Sequence, residues 1–176
     1  MFCPLSSQVM TILPCLDPVS LEYIRLTRSR SLDFCLDEIV KTEQWKNSDY
    51  LTLKCYKTVL PEEHITHFSR LWFEGVTISA FGLNVLKNAY SKRKQFESFN
   101  ACKVPIPDFE QLSTMWGAPS VSSQKHWWYF RDPNSRDRIF EVYCGREYQQ
   151  FFWFVVKMNW IQPNEVREGA VIQDIR

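Results

Sequence analysis

The sequence predicts an α+β domain in which a mainly helical N-terminal two-thirds packs on a C-terminal three-stranded antiparallel sheet. Three observations lead there. Apolar residues from Leu21 to Val40 recur at helical spacing. Helix start and stop residues then punctuate the chain from Pro61 to Gly117. Beyond Ser123, aromatic and β-branched residues separated by turn clusters read as strands. The expected layout is an extended arm over residues 1–16, one domain over 17–162 and a polar tail over 163–176.

The arm is mixed in composition and broken by Pro4 and Pro14. Asp17 is a suitable N-cap, and Pro18 suits a first helical position, where its missing N–H would lack a partner anyway. Leu21, Ile24, Leu32, Cys35, Leu36, Ile39 and Val40 then form an apolar stripe. On a continuous helix Arg28 falls inside that stripe. The helix therefore breaks near Ser29–Ser31, or Arg28 pairs or snorkels, since an unpaired buried ion costs on the order of several kcal/mol. One long or kinked helix is the preferred reading.

Leu51–Val59 alternates with period two and reads as a strand. Pro61 opens a helix with Glu62 and Glu63 in its first turn, Ile65, Phe68, Leu71 and Trp72 on its buried side, and Gly75 as its stop. Thr77 or Ser79 caps a helix reaching Phe99, with Phe81, Val85, Ala89 and Phe96 on one side. Residues 101–109 form a connector. Asp108 caps a short helix from Phe109 to Trp116, stopped by Gly117, and Ser120–Ser123 is a loop. His126–Arg131, Arg138–Cys144 and Gln149–Trp160 follow as a meander. The third of these is a strand or a buried helix, because a continuous apolar run has no diagnostic period.

Composition narrows the function. The 176 residues carry 21 basic and 20 acidic side chains, a net charge of +1. That balance excludes a protein that coats nucleic acid by bulk charge, and leaves a local basic patch open. The six cysteines contain no C-x-x-C pair, and the first residues lack a basic leader segment, so free thiols and an intracellular, cytoplasmic location are expected. No run of 18 apolar residues is present, so no membrane partner is expected.

Catalytic signatures are weak. His64 and His67 stand three apart beside Glu63, which is not the metalloprotease spacing, and surface histidines explain them more simply. Asp33 and Asp37 read as a solvated helix face. Cys144, next to Gly145 and Arg146, is the most exposed-looking thiol, and a nearby cation would favour its thiolate. With five glycines there is no phosphate-cradling loop. No cofactor, metal or catalytic residue is assigned.

Two features stand out. Trp127, Tyr129 and Arg131 share one face of the aromatic strand, and Trp128 and Phe130 share the other. If helices do not cover both faces, a large aromatic patch remains, which is the signature of a binding surface. The second feature is basic clustering: Arg25, Arg28 and Arg30 on one helix, and Lys87, Lys92, Arg93 and Lys94 near the end of another. A helix end attracts cations on its own account. The sequence thus favours a non-catalytic macromolecule-binding protein: an adaptor, inhibitor or assembly subunit. Its contacts would be Trp127, Tyr129, Arg131, Arg136 and Arg138, and its partner another protein or a larger complex. A nucleic-acid-binding protein using the basic clusters is second. An enzyme with a Cys/His site assembled in space is third.

Overall fold

The computed structural model describes residues 4–27, 36–54, 58–59, 62–132, 134–146 and 154–175. Among them, nine strands form one mixed sheet and only four short α-helices appear. This corrects the expected helical two-thirds with a three-stranded sheet: the N-terminal half is built on parallel strands.

The first residues are helical rather than extended. Helix α1 runs Pro4–Ile12, with proline in the first position where it is tolerated, and a 3-10 turn over Leu13–Cys15 buries Leu13. Gln44 Nε2 donates to the Leu16 carbonyl at 2.7 Å and ties this segment down. Asp17 caps no helix. Its Oδ1 accepts from the Val19 N–H and its Oδ2 from the Ser20 hydroxyl, which makes a turn instead. The chain leaves that turn as strand β1, Tyr23–Thr27. Tyr23–Thr27 of the expected Leu21–Val40 helix is therefore a strand, and residues 28–35, with Arg28, Arg30, Asp33 and Cys35, lie outside the described residues.

A 3-10 turn at Ile39–Lys41 and helix α2, Glu43–Asn47, capped by Thr42, lead to strand β2, Tyr50–Lys54. A third 3-10 turn, Glu62–His64, stands where the helix from Pro61 was expected. Ile65 and Phe68 enter the core, and strand β3, Arg70–Glu74, follows. Helix α3 is Ala80–Tyr90, with the Ser79 hydroxyl accepting from Gly82 N–H at 2.9 Å. Its buried side is Leu83, Leu86 and Tyr90, not the expected Phe81 row, and Phe81 is exposed. The helix stops well short of Phe99, and strand β4, Ser98–Val104, occupies much of the expected connector.

Helix α4, Phe109–Trp116, forms as its sequence predicts. Asp108 Oδ1 accepts from Gln111 N–H at 2.9 Å, and Gly117 at φ 80° ends it. Strand β5, Ser120–Ser122, stands in the expected loop. It joins β6, Lys125–Arg131, through Ser123 and Gln124, both at positive φ. Strands β7, Ile139–Gly145, and β8, Phe154–Ile161, complete the expected meander, so the described part of the third segment is a strand. Strand β9, Ile172–Asp174, lies in the polar tail and pairs with β6.

The sheet order is β1-β2-β3-β4-β8-β7-β6-β5. Strands β1 to β4 are parallel, and β4 meets β8 antiparallel. One row of partners crosses the sheet as Ile24, Leu51, Leu71 and Phe99, then Met158, Val142 and Trp128. Every member is buried. This inner face packs against the helices and turns, with Trp45, Phe68, Leu83, Leu86 and Trp116 in the same core. Trp45 Nε1 donates to the His64 carbonyl at 2.8 Å, so the largest inner side chain is also satisfied.

Candidate docking surface

Side chains alternate across a strand, so the neighbours of the buried row define the opposite, outer face. Its central row is Arg25, Thr52, Trp72 and Asn100 on the parallel strands. It continues through Lys157, Tyr143 and Trp127 on the meander. Seven strands at ~4.8 Å spacing give a row of about 29 Å. The next row begins Tyr23, Tyr50, Arg70 and Ser98 and ends Asn159, Glu141 and Tyr129.

The two ends of this face differ. At the parallel end Tyr23 is 47% exposed and Trp72 39% exposed, with Arg25 and Arg70 also exposed. Parallel strands are ordinarily covered on both faces, which makes an open one unusual. The exposed side chains are held in place laterally. Tyr23 OH donates to Thr52 Oγ1 at 3.0 Å, and the Arg70 guanidinium lies 4.9 Å from the Tyr50 ring centroid while pairing with Glu97.

At the meander end the chain covers its own aromatics. Arg167 stacks on Trp127 at 3.7 Å from the ring centroid, and β9 runs beside Tyr129–Arg131. Tyr129 is 1% exposed, and burial together with the Glu141 charge pushes its phenol up to about 12. Burial raises the Glu141 carboxyl too, against the stabilising influence of Asn159 and of the Arg167 charge. Trp128 and Phe130 are buried on the inner face.

The sequence-predicted contacts therefore separate. Trp127 is half-buried under Arg167, and Tyr129 is inside. Arg131, at the end of β6 with its Nε 3.9 Å from Asp174, and Arg136, in the β6–β7 turn, are exposed. Arg138 donates to Asp132 Oδ2 at 2.9 Å and stacks over Trp160 at 4.4 Å. The basic residues also divide. Arg25 is on the outer face of edge strand β1, and Lys87 is 4% exposed with its ammonium 4.5 Å from the Phe130 centroid. Lys92 and Lys94 are exposed, and Arg93 donates to the Thr66 and Phe68 carbonyls.

Tyr23, Tyr50 and Trp72 are surface residues that helical spacing does not reveal, Trp72 fitting the buried side of the expected Pro61 helix. Their signal is present nonetheless: segments 23–27, 50–54, 70–74 and 98–102 each place an apolar residue second and fourth.

The chemistry expected of a spatial Cys/His site finds little purchase. Cys144, expected to be exposed, is fully buried, and burial raises its thiol pKa far above the ordinary value. His67 Nε2 lies 2.8 Å from the Trp45 carbonyl, and burial lowers its pKa, which holds the ring neutral. Among the described residues no cluster of three or more metal-ligating side chains forms. Among the described residues no helix is long and apolar enough to cross a membrane.

The FTH domain family model matches residues 2–116, more than half of the chain, so the chain belongs to the FTH domain family. The match spans α1 through α4 and the mutually parallel strands β1–β4, and it ends before the meander. No curated protein and no solved structure matches.

Proposed function

We propose that this FTH-domain chain is a non-catalytic binding protein, an adaptor, inhibitor or assembly subunit, that takes a protein partner on the outer face of its sheet. The observation that supports this is the uncovered face of parallel strands β1–β4, with Tyr23 and Trp72 exposed on it. Tyrosine, tryptophan and arginine are the residue types enriched where proteins dock, because they combine apolar area with a polar handle. Tyr23, Arg25, Arg70 and Trp72 supply that mixture within the family-matched region. Arg131, on the same face of β6 as Trp127, extends the surface, Arg136 stands in the β6–β7 turn at its end, and Trp127 joins it wherever Arg167 gives way. Tyr129 supports the face from inside and makes no contact itself.

A protein partner is favoured over nucleic acid by charge. The chain is +1 overall, and its outer face carries Glu74, Glu97 and Glu141 among the cations. The test is affinity purification with the full chain and with a Tyr23→Ala/Trp72→Ala variant, each with and without nuclease. The expected result is a co-purifying protein that survives nuclease and is lost with the variant while its thermal midpoint barely moves. Equal capture by the variant overturns the reading, and loss after nuclease transfers it to nucleic acid.

A further inference from the structure

A cleft of about 230 Å³ opens where the end of α3, the β6–β7 turn and the end of β8 meet, lined by Lys92, Arg93, Lys94, Asp132, Arg138 and Trp160 among others. It is separate from the outer face: Trp160 stands in register with Phe140, on the side of the sheet that carries the core. It also joins residues from two lists that the sequence kept apart, the basic run 92–94 and the hairpin arginine Arg138.

The geometry points to a binding site for a phosphate monoester, carried by a phosphorylated side chain of a partner protein, in this cleft. Four cations line it against one carboxylate, Asp132. That carboxylate is already engaged, with Oδ2 accepting from Arg138 and Oδ1 from the Asn134 N–H at 2.8 Å. Among the described residues no carboxylate lies within ion-pair distance of Lys92 or Lys94. Two buried polar atoms at the cleft have no hydrogen-bond partner: the hydroxyl of Ser91, a residue only 2% exposed, and the indole Nε1 of Trp160. Buried polar groups are mostly satisfied, and of the six unpartnered ones among the described residues these two share one cleft.

The chemistry of the lining selects the ligand. Ammonium, guanidinium and indole groups only donate, and a hydroxyl can. Such a lining needs a compact group with several acceptor oxygens and negative charge, which is a phosphate. Cations at the end of α3 also suit that helix's dipole. The dipole accounts for Lys92 and Lys94 but not for Arg138, nor for the unpaired serine and indole. A nucleic-acid strand is disfavoured because it is held through a run of phosphates. The basic residues that would extend such a run are elsewhere: Lys87 is buried against Phe130, and Arg25 lies on the far edge strand.

The experiment is a ¹H–¹⁵N titration of the full chain, following the Trp160 indole N–H. Inorganic phosphate, a phosphoserine peptide, its unphosphorylated form and a short oligothymidylate are the probes. The expected result is a saturable shift with phosphate and the phosphopeptide, none with the unphosphorylated peptide, and affinity at least tenfold weaker in Lys92→Ala/Lys94→Ala. Ser91→Ala weakens binding several-fold and serves as the second variant. The inference is overturned by an unmoved indole, by equal binding of both peptides, by indifference to the double variant, or by tighter binding of the oligothymidylate. Because the readout is local to this cleft, its failure leaves the outer-face reading untouched.

Discussion

The guanidinium carbon of Arg167 lies 3.7 Å from the centroid of the Trp127 ring, so the polar tail caps the aromatic strand that it follows in sequence. A cation over an indole at a partly exposed site contributes about 0.5–1 kcal/mol, rising when the pair is desolvated. A double-mutant cycle with Arg167→Ala and Trp127→Leu, which removes the π face, read by urea unfolding, should give a coupling energy in that range. A coupling near zero would mean that the contact is incidental and that β9 alone holds the tail in place.

The inner and outer faces of the sheet should respond differently to loss of a tryptophan. Trp45 is fully buried, meets Phe68 edge-on at 5.2 Å and satisfies the His64 carbonyl. Trp45→Ala should cost about 3–5 kcal/mol. Trp72 is 39% exposed on the opposite face, and Trp72→Ala should cost under about 1 kcal/mol. Chemical denaturation of both variants checks this. Comparable losses would show that the outer face is packed rather than available.

How much of this was legible depends on where each element draws its stability. Helix α4 carries its own signals in Asp108 and Gly117, and both act locally, so its bounds were readable. The meander was readable from its aromatic and β-branched residues and from the Asp132–Ser135 turn cluster, although its third segment, a continuous apolar run, left strand and buried helix both open. Strands β1 and β3 were not. Leu21 and Ile24, and Ile65, Phe68, Leu71 and Trp72, also fit helical spacing, and a short turn followed by a five-residue strand reproduces that pattern by coincidence. What decides for strand is pairing between segments about 20–30 residues apart, which no local window contains. The same blindness hid the candidate surface. Tyr23 and Trp72 become neighbours of one face only after β1, β2 and β3 align. The phosphate cleft required residues 91–94, 132–138 and 160 to converge.

Lys87 gives a pH signature. Its ammonium is buried against Phe130 and donates to Asn88 Oδ1 at 2.8 Å. Burial and the charge of Lys92 push its pKa down to about 8 from 10.5. Between those values the unfolded chain binds more protons than the folded one, so stability rises with pH across that window. Lys87→Met should stabilise the chain near neutral pH by on the order of 1–2 kcal/mol, because Lys87 lines a second, separate cleft with Trp116 and Phe130 in which water screens part of the penalty. It should also flatten the rise. Comparing the two proteins by urea unfolding at about pH 7.5 and 9.5 cancels the contribution of the tyrosines. An equal rise in both would place the titration elsewhere.

Acid should act on the other end of the outer face. Glu74 is 5% exposed and bridges two neighbouring strands, with Oε2 3.0 Å from Lys54 Nζ and Oε1 accepting from Lys103 Nζ. Lys103 reaches it from a bulge, where the β4–β8 register shifts between Ala101 and Val104 and its own φ is 55°. Burial by itself would raise the Glu74 carboxyl, but the hydrogen bonds from Lys103 and Lys54 outweigh it and hold the pKa below 4.5. A folded value below the unfolded one means that the stabilisation is complete above about 4.5 and is lost as pH falls through the folded value. Glu74→Gln should therefore cost about 1–2 kcal/mol near neutrality, since both lysines can turn to water. The gap between the two proteins should close as pH falls towards about 3. Thermal midpoints measured across that range decide it. A constant gap would show that Glu74 contributes through shape alone, and a closing gap that β2, β3 and β4 are pinned electrostatically beneath the proposed docking face.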